Sequence, residues 1–91
     1  MSSPVNLSFL NFIQMDRSSS TPIYLQLTQQ IINAIQRGLL QAGNKLPGSR
    51  LLAQELQLNR NTIVVAYEEL QAQGWIEIQP NKGTFVLNQY Y

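Results

Sequence analysis

The sequence contains no cysteine and no histidine among its 91 residues. Without cysteine the chain forms no disulfide bond and no zinc–thiolate site. Without histidine it lacks the most common general base and a frequent metal ligand. The carboxylates left for acid–base chemistry are Asp16, Glu55, Glu68, Glu69 and Glu77. This inventory argues against an enzyme in these residues, and we expect neither a metal nor a cofactor in them.

No stretch of the sequence reaches the roughly 18 apolar residues of a membrane span. The first residues also lack the basic region that opens a signal peptide. Apolar residues still make up 44% of the chain, which suits a folded domain rather than a disordered segment. We therefore expect one small domain with a single core, located in the cytoplasm and with no membrane partner.

Charge is scarce but unevenly placed. The net charge is only +1, which is weak for a nucleic-acid binder. Between residues 44 and 64, however, there are three cations and one carboxylate, whereas between residues 65 and 79 there are three carboxylates and no cation. The chain thus has a basic stretch followed by an acidic one, which the net charge hides.

Residues 1–20 are predicted to form an N-terminal arm and a link ahead of the domain. Val5, Leu7 and Phe9 alternate with polar residues, which is the period of a β-strand. Residues 16–20 are polar and include three consecutive serines, as connecting segments often do.

A first helix is predicted from Pro22, because proline suits the first helical position and Thr21 can act as the N-cap. Gly38 is a natural stop for this helix. Its predicted buried stripe follows helical spacing and consists of Ile23, Leu27, Ile31, Ala34 and Ile35. The connection that follows holds a candidate extended piece at residues 45–46.

A second helix is predicted over residues 50–56, with Ser49 as its N-cap. A turn at residues 57–59 separates it from a third helix over residues 60–73, which Asn59 caps. The predicted buried face of the third helix consists of Ile63, Ala66, Tyr67 and Leu70. Two helices joined by a tight turn, the second one longer, form the helix-turn-helix pattern.

The hydrophobic period changes after the third helix. Residues 75–79 and 84–87 are predicted as two strands joined by a turn at 81–83, where glycine tolerates positive φ. A hairpin directly after a helix-turn-helix makes a winged helix. We therefore expect an α+β, mainly helical winged helix-turn-helix over residues 21–88, built of three helices and a C-terminal β-hairpin wing. Residues 89–91 would begin a linker.

The third helix has the charge polarity that phosphates favour. Arg60, Asn61 and Thr62 lie at its N-terminus, and Glu68 and Glu69 lie toward its other end. Anions are attracted to helix N-termini, and the N-terminal residues of a recognition helix are those that meet bases. An arginine can pair bidentately with guanine, and an asparagine with adenine. The first three residues are therefore predicted to contact double-stranded DNA.

Further DNA contacts are predicted on both sides of that helix start. Arg50, beside Ser49 at the start of the second helix, is placed for a phosphate or a base. Val65 is off the buried stripe and is predicted to touch thymine methyl groups. Lys82 and Gly83 form the tip of the wing, where a flanking phosphate or the minor groove is within reach.

Several motifs resemble the winged helix of the GntR family. They are Leu-Pro-Gly-Ser-Arg at 46–50, Asn-Arg-Asn-Thr at 59–62, Ala-Tyr-Glu-Glu-Leu at 66–70, Lys-Gly-Thr-Phe-Val at 82–86 and Thr-Pro-Ile-Tyr-Leu-Gln-Leu at 21–27. The resemblance spans residues 14–87. It implies a domain that binds double-stranded operator DNA sequence-specifically and belongs to a transcriptional regulator.

Within that family the motifs look most like the MocR subgroup. Proteins of that subgroup carry a C-terminal domain that resembles a type I aminotransferase and binds pyridoxal phosphate. The resemblance implies that this chain is the N-terminal head of a longer, homodimeric regulator. The sequence departs from the family at Val64, where many members have arginine, and at residues 81–83, where MocR wings often read Gly-Ser-Gly.

Other interpretations stay open for some of these residues. Arg50 and Arg60 could be surface arginines that pair with Glu55. The aromatic residues Tyr24, Tyr67, Trp75 and Phe85 are expected in the core rather than as platforms for base stacking. A face made of Val64 and Val65 could bind a partner helix, so a winged-helix protein–protein interaction module is the alternative function. Salt separates the two, because DNA affinity falls steeply with salt concentration.

Overall fold

The computed structural model describes residues 10–11 and 13–87 of the chain. The predicted strand-like alternation at residues 5–9 lies outside the described residues. Residue 88, at the end of the predicted domain, and the linker residues 89–91 lie outside them too.

The described chain forms three helices and one small sheet. The elements are α1 (Ile23–Gln36), β1 (Lys45–Leu46), α2 (Ser49–Leu56), α3 (Arg60–Ala72), β2 (Ile76–Gln79) and β3 (Gly83–Val86). The strands are antiparallel in the order β1-β3-β2, with Leu46 opposite Thr84 and Ile76 opposite Val86. This confirms the predicted α+β winged helix-turn-helix. The candidate extended piece at 45–46 is a third strand, which pairs on the outer edge of the hairpin.

The predicted N-cap of the first helix is wrong by one residue. Pro22 is the N-cap, in an extended conformation with φ −55° and ψ 145°, and no side chain caps the helix. The Pro22 carbonyl accepts hydrogen bonds from the N–H groups of Leu25 and Gln26, both at 3.1 Å. Because proline lacks an N–H but keeps this carbonyl, it takes the half-helical position itself, and Thr21 lies outside the helix.

The predicted cap of the second helix is also wrong, whereas that of the third is confirmed. Gly48 is the N-cap of α2, and Ser49 is its first helical residue. In α3 the Asn59 side chain accepts a hydrogen bond from the N–H of Asn61 at 2.8 Å. This bond satisfies one of the free donors in the first turn, which is why asparagine favours such a position.

The core lies where α1 and α2 pack against α3 and the sheet closes the open side. Its buried apolar residues are Leu27, Ile31, Ala34, Leu40, Leu46, Leu52, Ala53, Ile63, Ala66, Tyr67, Leu70, Ile76 and Val86. The predicted stripe of α3 is confirmed in full. In α1, Ile23 and Ile35 are only half-buried, and Thr28 is buried instead. Its hydroxyl donates to the Tyr24 carbonyl at 2.8 Å, which removes the cost of burying it.

Of the four aromatic residues that were predicted in the core, three lie in it or against it. Tyr67 is buried, and Tyr24 and Trp75 are half-buried against it. The expectation for Phe85 is wrong: Thr84 and Val86 face inward on β3, so the side chain between them points to the other face and is half-buried. The alternation of side chains along a strand leaves no other arrangement.

Candidate nucleic-acid interface

The N-terminus of α3 presents polar side chains to solvent. Arg60 and Asn61 are exposed, and Thr62 is half-buried. The Asn59 cap uses one of the first backbone N–H groups, and the positive end of the helix dipole remains directed outward. Glu68 lies two turns further along, so the helix start is free of carboxylates from its own element. This arrangement attracts an anion to the start of the helix.

The start of α2 meets the start of α3. The Nε of Arg60 donates a hydrogen bond to the Oγ of Ser49 at 3.1 Å, across 11 residues of sequence. Arg50 follows on α2 and is exposed. Within residues 13–87 neither arginine forms an ion pair with Glu55. The structure thus brings Arg60 to Ser49, and Arg50 is the next residue of α2.

A buried hydrogen bond fixes the relative position of the two helices. The Tyr67 hydroxyl donates to the carbonyl of Pro47 at 2.6 Å, and both residues are buried. Burial raises the pKa of the Tyr67 phenol, so the group stays protonated and remains a donor. The bond ties the middle of α3 to the segment that leads into α2. It therefore sets where Ser49 and Arg50 lie relative to the helix start.

The tip of the wing is a tight turn with two left-handed residues, Asn81 at φ 67° and Gly83 at φ 133°. Lys82 between them is exposed. A Cβ added at Gly83 would lie 2.7 Å from the Cε of Lys45, so the Lys45 stem crosses directly over this glycine. The wing tip consequently holds two lysines. Sequence reasoning missed Lys45, whose place follows from the pairing of β1 with β3.

Val64 and Val65 face different grooves. Val65 is 44% exposed and lines a groove of about 340 Å³ with Asn61, Thr62 and residues 22–24 at the start of α1. Val64 lines a groove of about 270 Å³ between α3 and the wing, together with Ser49, Tyr67, Glu68, Ile78 and Thr84. The two valines therefore do not form the single apolar face that binding of a partner helix would need. Val65 shares its groove with two of the predicted base-reading residues.

Neither a membrane-spanning helix nor a cluster of metal-binding side chains is present among the described residues. No described helix is long and apolar enough to cross a membrane. Within the same part of the chain, no group of three or more acidic side chains could hold a metal ion.

Comparison with models of known protein families identifies the family of this chain. The model for bacterial regulatory proteins of the gntR family matches residues 23–86. The chain belongs to the GntR family. The match covers all three helices and the whole wing, so the family assignment and the fold rest on the same residues.

Relatives of this GntR-family chain differ in length and similarity. The HTH-type transcriptional repressor YtrA of Bacillus subtilis is 43% identical over 74 residues, which are 81% of this chain and 57% of YtrA. The probable rhizopine catabolism regulatory protein MocR of Rhizobium meliloti is 35% identical over 72 residues, which are 79% of this chain and 15% of MocR. The expected likeness to MocR is confirmed, but the identity to YtrA is higher. The chain spans only part of either relative.

Solved structures show the same fold. YtrA from Sulfolobus acidocaldarius, a GntR-family transcription factor, superposes with a TM-score of 0.81 and 40% identity, covering 86% of this chain and 82% of that one. AraR(DBD) in complex with operator ORE1 superposes with a TM-score of 0.70 and 31% identity, covering 80% of this chain and 92% of that one.

Proposed function

We propose that this GntR-family domain binds double-stranded operator DNA sequence-specifically and that the protein regulates transcription. The observation that carries the proposal is the contact between Arg60 and Ser49, which joins the starts of α2 and α3 into one basic surface. In helix-turn-helix proteins these two helix starts face the DNA. The similarity to AraR(DBD), whose structure is a complex with an operator, supports this.

Arg60 is proposed to read a guanine. Its Nε is occupied by Ser49, which orients the guanidinium, and no other described residue accepts from its two terminal nitrogens. Those nitrogens form the fork that pairs with the O6 and N7 atoms of guanine. Asn61 and Thr62 on the same turn would contact neighbouring bases, and Val65 would contact a thymine methyl group in the groove that they share.

The remaining cations are proposed to hold the phosphate backbone. Arg50 at the start of α2 would contact a phosphate beside the major groove. Lys82 and Lys45 at the wing tip would contact a flanking phosphate or enter the minor groove, with the backbone of Gly83 close to the DNA. A lysine suits this role because it acts as a mobile point charge rather than as a planar fork.

The natural protein is proposed to act in the cytoplasm as a homodimer on two half-sites, because a single head of this size buries little DNA surface. We propose no catalysis by residues 1–91. If the natural protein carries a MocR-like aminotransferase domain, pyridoxal phosphate would bind in that domain.

The test is binding of fluorescent duplexes by the 91-residue chain. A duplex enriched by the chain from a random-sequence pool is compared with its shuffled version, at two salt concentrations. We expect preference for the enriched duplex and a loss of about tenfold to a hundredfold in Arg60→Ala on that duplex. Arg60→Lys keeps the charge but not the fork, so it should also lose the preference.

The control variant is Arg37→Ala, which removes an equal charge just past the C-terminus of α1. It should bind both duplexes nearly as the parent chain does. Failure to enrich any duplex, or equal weak binding to both that Arg60→Ala leaves unchanged, would overturn the proposal. Binding of another protein would be indicated by an affinity that does not change with salt concentration.

A further inference from the structure

Residues 13–17 form an arm that lies along α1 and is hydrogen-bonded to it. Gln26 of α1 accepts from the N–H of Asp16 at 2.9 Å and donates to its carbonyl at 3.0 Å. One turn later, Gln30 accepts from the N–H of Gln14 at 2.6 Å and donates to the Gln14 carbonyl. Each amide side chain thus pairs both backbone groups of one arm residue. This matches the pairing in a sheet and fixes the arm in position.

Apolar contacts hold the same arm from the other side. Ile13 and Met15 are half-buried against the core and alternate with the two residues that the glutamines hold. The arm therefore has one face on the core and its backbone on α1. Polar and apolar anchors of this kind hold the segment against α1 and the core.

The arm ends on the turn of the helix-turn-helix. The Nη2 of Arg17 donates to the carbonyl of Gln57 at 2.9 Å, across 40 residues of sequence. Gln57 is the C-cap of α2 and has the left-handed conformation, with φ 56° and ψ 47°. A cation at a helix C-terminus is favourable because the last carbonyls carry partial negative charge. A left-handed glutamine is unfavourable by itself, so an anchor on its carbonyl helps to hold the turn.

The contact between Arg17 and Gln57 matters because Gln57 lies close to the start of α3. The residue stands two positions before the Asn59 cap and three before Arg60. A shift at Gln57 therefore moves the cap and the first reading residue of α3. The Arg17 guanidinium connects this point to α1 through the arm.

We propose that Arg17 is a positioning residue: through the arm it braces the turn at residues 57–59 and holds the start of α3 in the orientation that reads DNA. The inference rests on the proposed function. It assigns base discrimination, rather than phosphate attraction, to a cation outside the helix-turn-helix.

The first experiment needs no DNA. Hydrogen exchange of the Asn61 amide, which the Asn59 side chain holds, is measured in the 91-residue chain and in Arg17→Gln. We expect this amide to exchange about tenfold faster in the variant, because a charged hydrogen bond at the turn is lost. Amides in the last turn of α3 serve as internal controls and should not change. Unchanged exchange at Asn61 would overturn the brace whether or not the chain binds DNA.

The second experiment uses the enriched and shuffled duplexes. Arg17→Gln should bind the enriched duplex about tenfold more weakly and the shuffled duplex as before, with an unchanged salt dependence. Arg17→Lys, which can still donate to the carbonyl, should recover part of the preference. Arg37→Gln carries the same charge change away from the turn and should bind as the parent chain does.

The outcomes separate this inference from the proposed function. If the parent chain shows no preference for the enriched duplex, the proposed DNA reading is wrong, while the exchange experiment still tests the brace. A salt dependence that falls by about one phosphate contact in Arg17→Gln would instead make Arg17 a direct backbone contact and would overturn the positioning role. Equal weakening on both duplexes, or in the Arg37→Gln control, would do the same.

Discussion

The two ends of the proposed DNA-binding surface are held in different ways. At the helix end, Arg60 is fixed by a hydrogen bond to Ser49, and α3 is fixed below it by a buried bond from Tyr67 to Pro47. At the wing end, a turn with two left-handed residues is covered by the aliphatic stem of Lys45. The helix end depends on directional hydrogen bonds, one exposed at Arg60 and one buried at Tyr67. The wing end depends on backbone conformation and on one flexible side chain.

The kind of cation differs in the same way. The helix end carries arginines 50 and 60, and the wing end carries lysines 45 and 82. Reading a base requires a planar fork in a fixed orientation, whereas attraction to a phosphate needs only a charge within reach. Directional hydrogen bonds therefore hold the end where a base would be read, whereas the end that would meet only phosphates carries lysines on flexible stems.

The largest effect is expected when a hydrogen bond at the helix end is removed. Tyr67→Phe removes only the hydroxyl and leaves the buried Pro47 carbonyl without its donor. We expect the free energy of unfolding to fall by about 1–3 kcal/mol, measured by urea denaturation. Tyr24→Phe, at a half-buried tyrosine, is the matched control and should change little. An equal loss in both variants would show that the hydroxyl of Tyr67 does not hold the two helices.

A smaller effect is expected when the wing end is strained. Gly83→Ala places a Cβ 2.7 Å from the Cε of Lys45 at a backbone φ of 133°. We expect a loss of about 1–2 kcal/mol in the free energy of unfolding. Combining it with Lys45→Ala in a double-mutant cycle removes the clash and keeps the backbone strain. A cycle with no coupling energy would mean that Lys45 does not lie over the glycine.

The salt dependence of DNA binding should differ between variants of the two ends. Lys82→Gln should weaken binding to the enriched and shuffled duplexes equally and lower the salt dependence by about one phosphate contact. Arg60→Ala should act mainly on the enriched duplex. Both are measured by titration over a range of salt concentrations. If Lys82→Gln lowered preference as Arg60→Ala does, the division between reading and holding would be wrong.

The smallest effect lies outside both ends, at Asp16. The Ser18 hydroxyl and, to a smaller extent, the Ser18 N–H donate to the Asp16 carboxylate. These hydrogen bonds hold the pKa of Asp16 below the ordinary value of 3.8. A lowered pKa stabilises the fold above that ordinary value, and the contribution is lost as the pH falls through the lowered pKa. The carboxylate is exposed, so the contribution is small. In an NMR titration, Ser18→Ala should move the Asp16 pKa back toward 3.8; an unmoved pKa would contradict the assignment.

Local features of the fold were predictable. The buried face of α3 follows from helical spacing, and the Asn59 cap follows from the chemistry of a single side chain two residues from its donor. The caps of α1 and α2 were not predictable. Pro22 took the place of Thr21, and the Ser49 hydroxyl bonds to Arg60 instead of its own helix. In α1 the neighbouring proline takes the cap position, and in α2 the Ser49 hydroxyl accepts from a side chain 11 residues away.

The candidate site likewise has features that the sequence predicts and features that it does not. The basic start of α3 and its acidic continuation can be read from the chain, and so can the turn at the wing tip. The sequence alone does not reveal Lys45 over Gly83, because two-residue β1 is assigned through its partner β3. The DNA contacts of the site residues stay predictions, and so do the limits of the domain at residues 21–88.

The sequence by itself determined the order of the elements, the inward face of α3 and the placement of its cations, because periodicity and capping act within one or two turns of the chain. The tertiary structure decided the contacts that set the orientation of the surface. They join Arg17 to Gln57 across 40 residues, Tyr67 to Pro47 across 20 and Arg60 to Ser49 across 11. Such contacts form only after the three helices have packed, since the packing of the core fixes which distant groups come within hydrogen-bond distance.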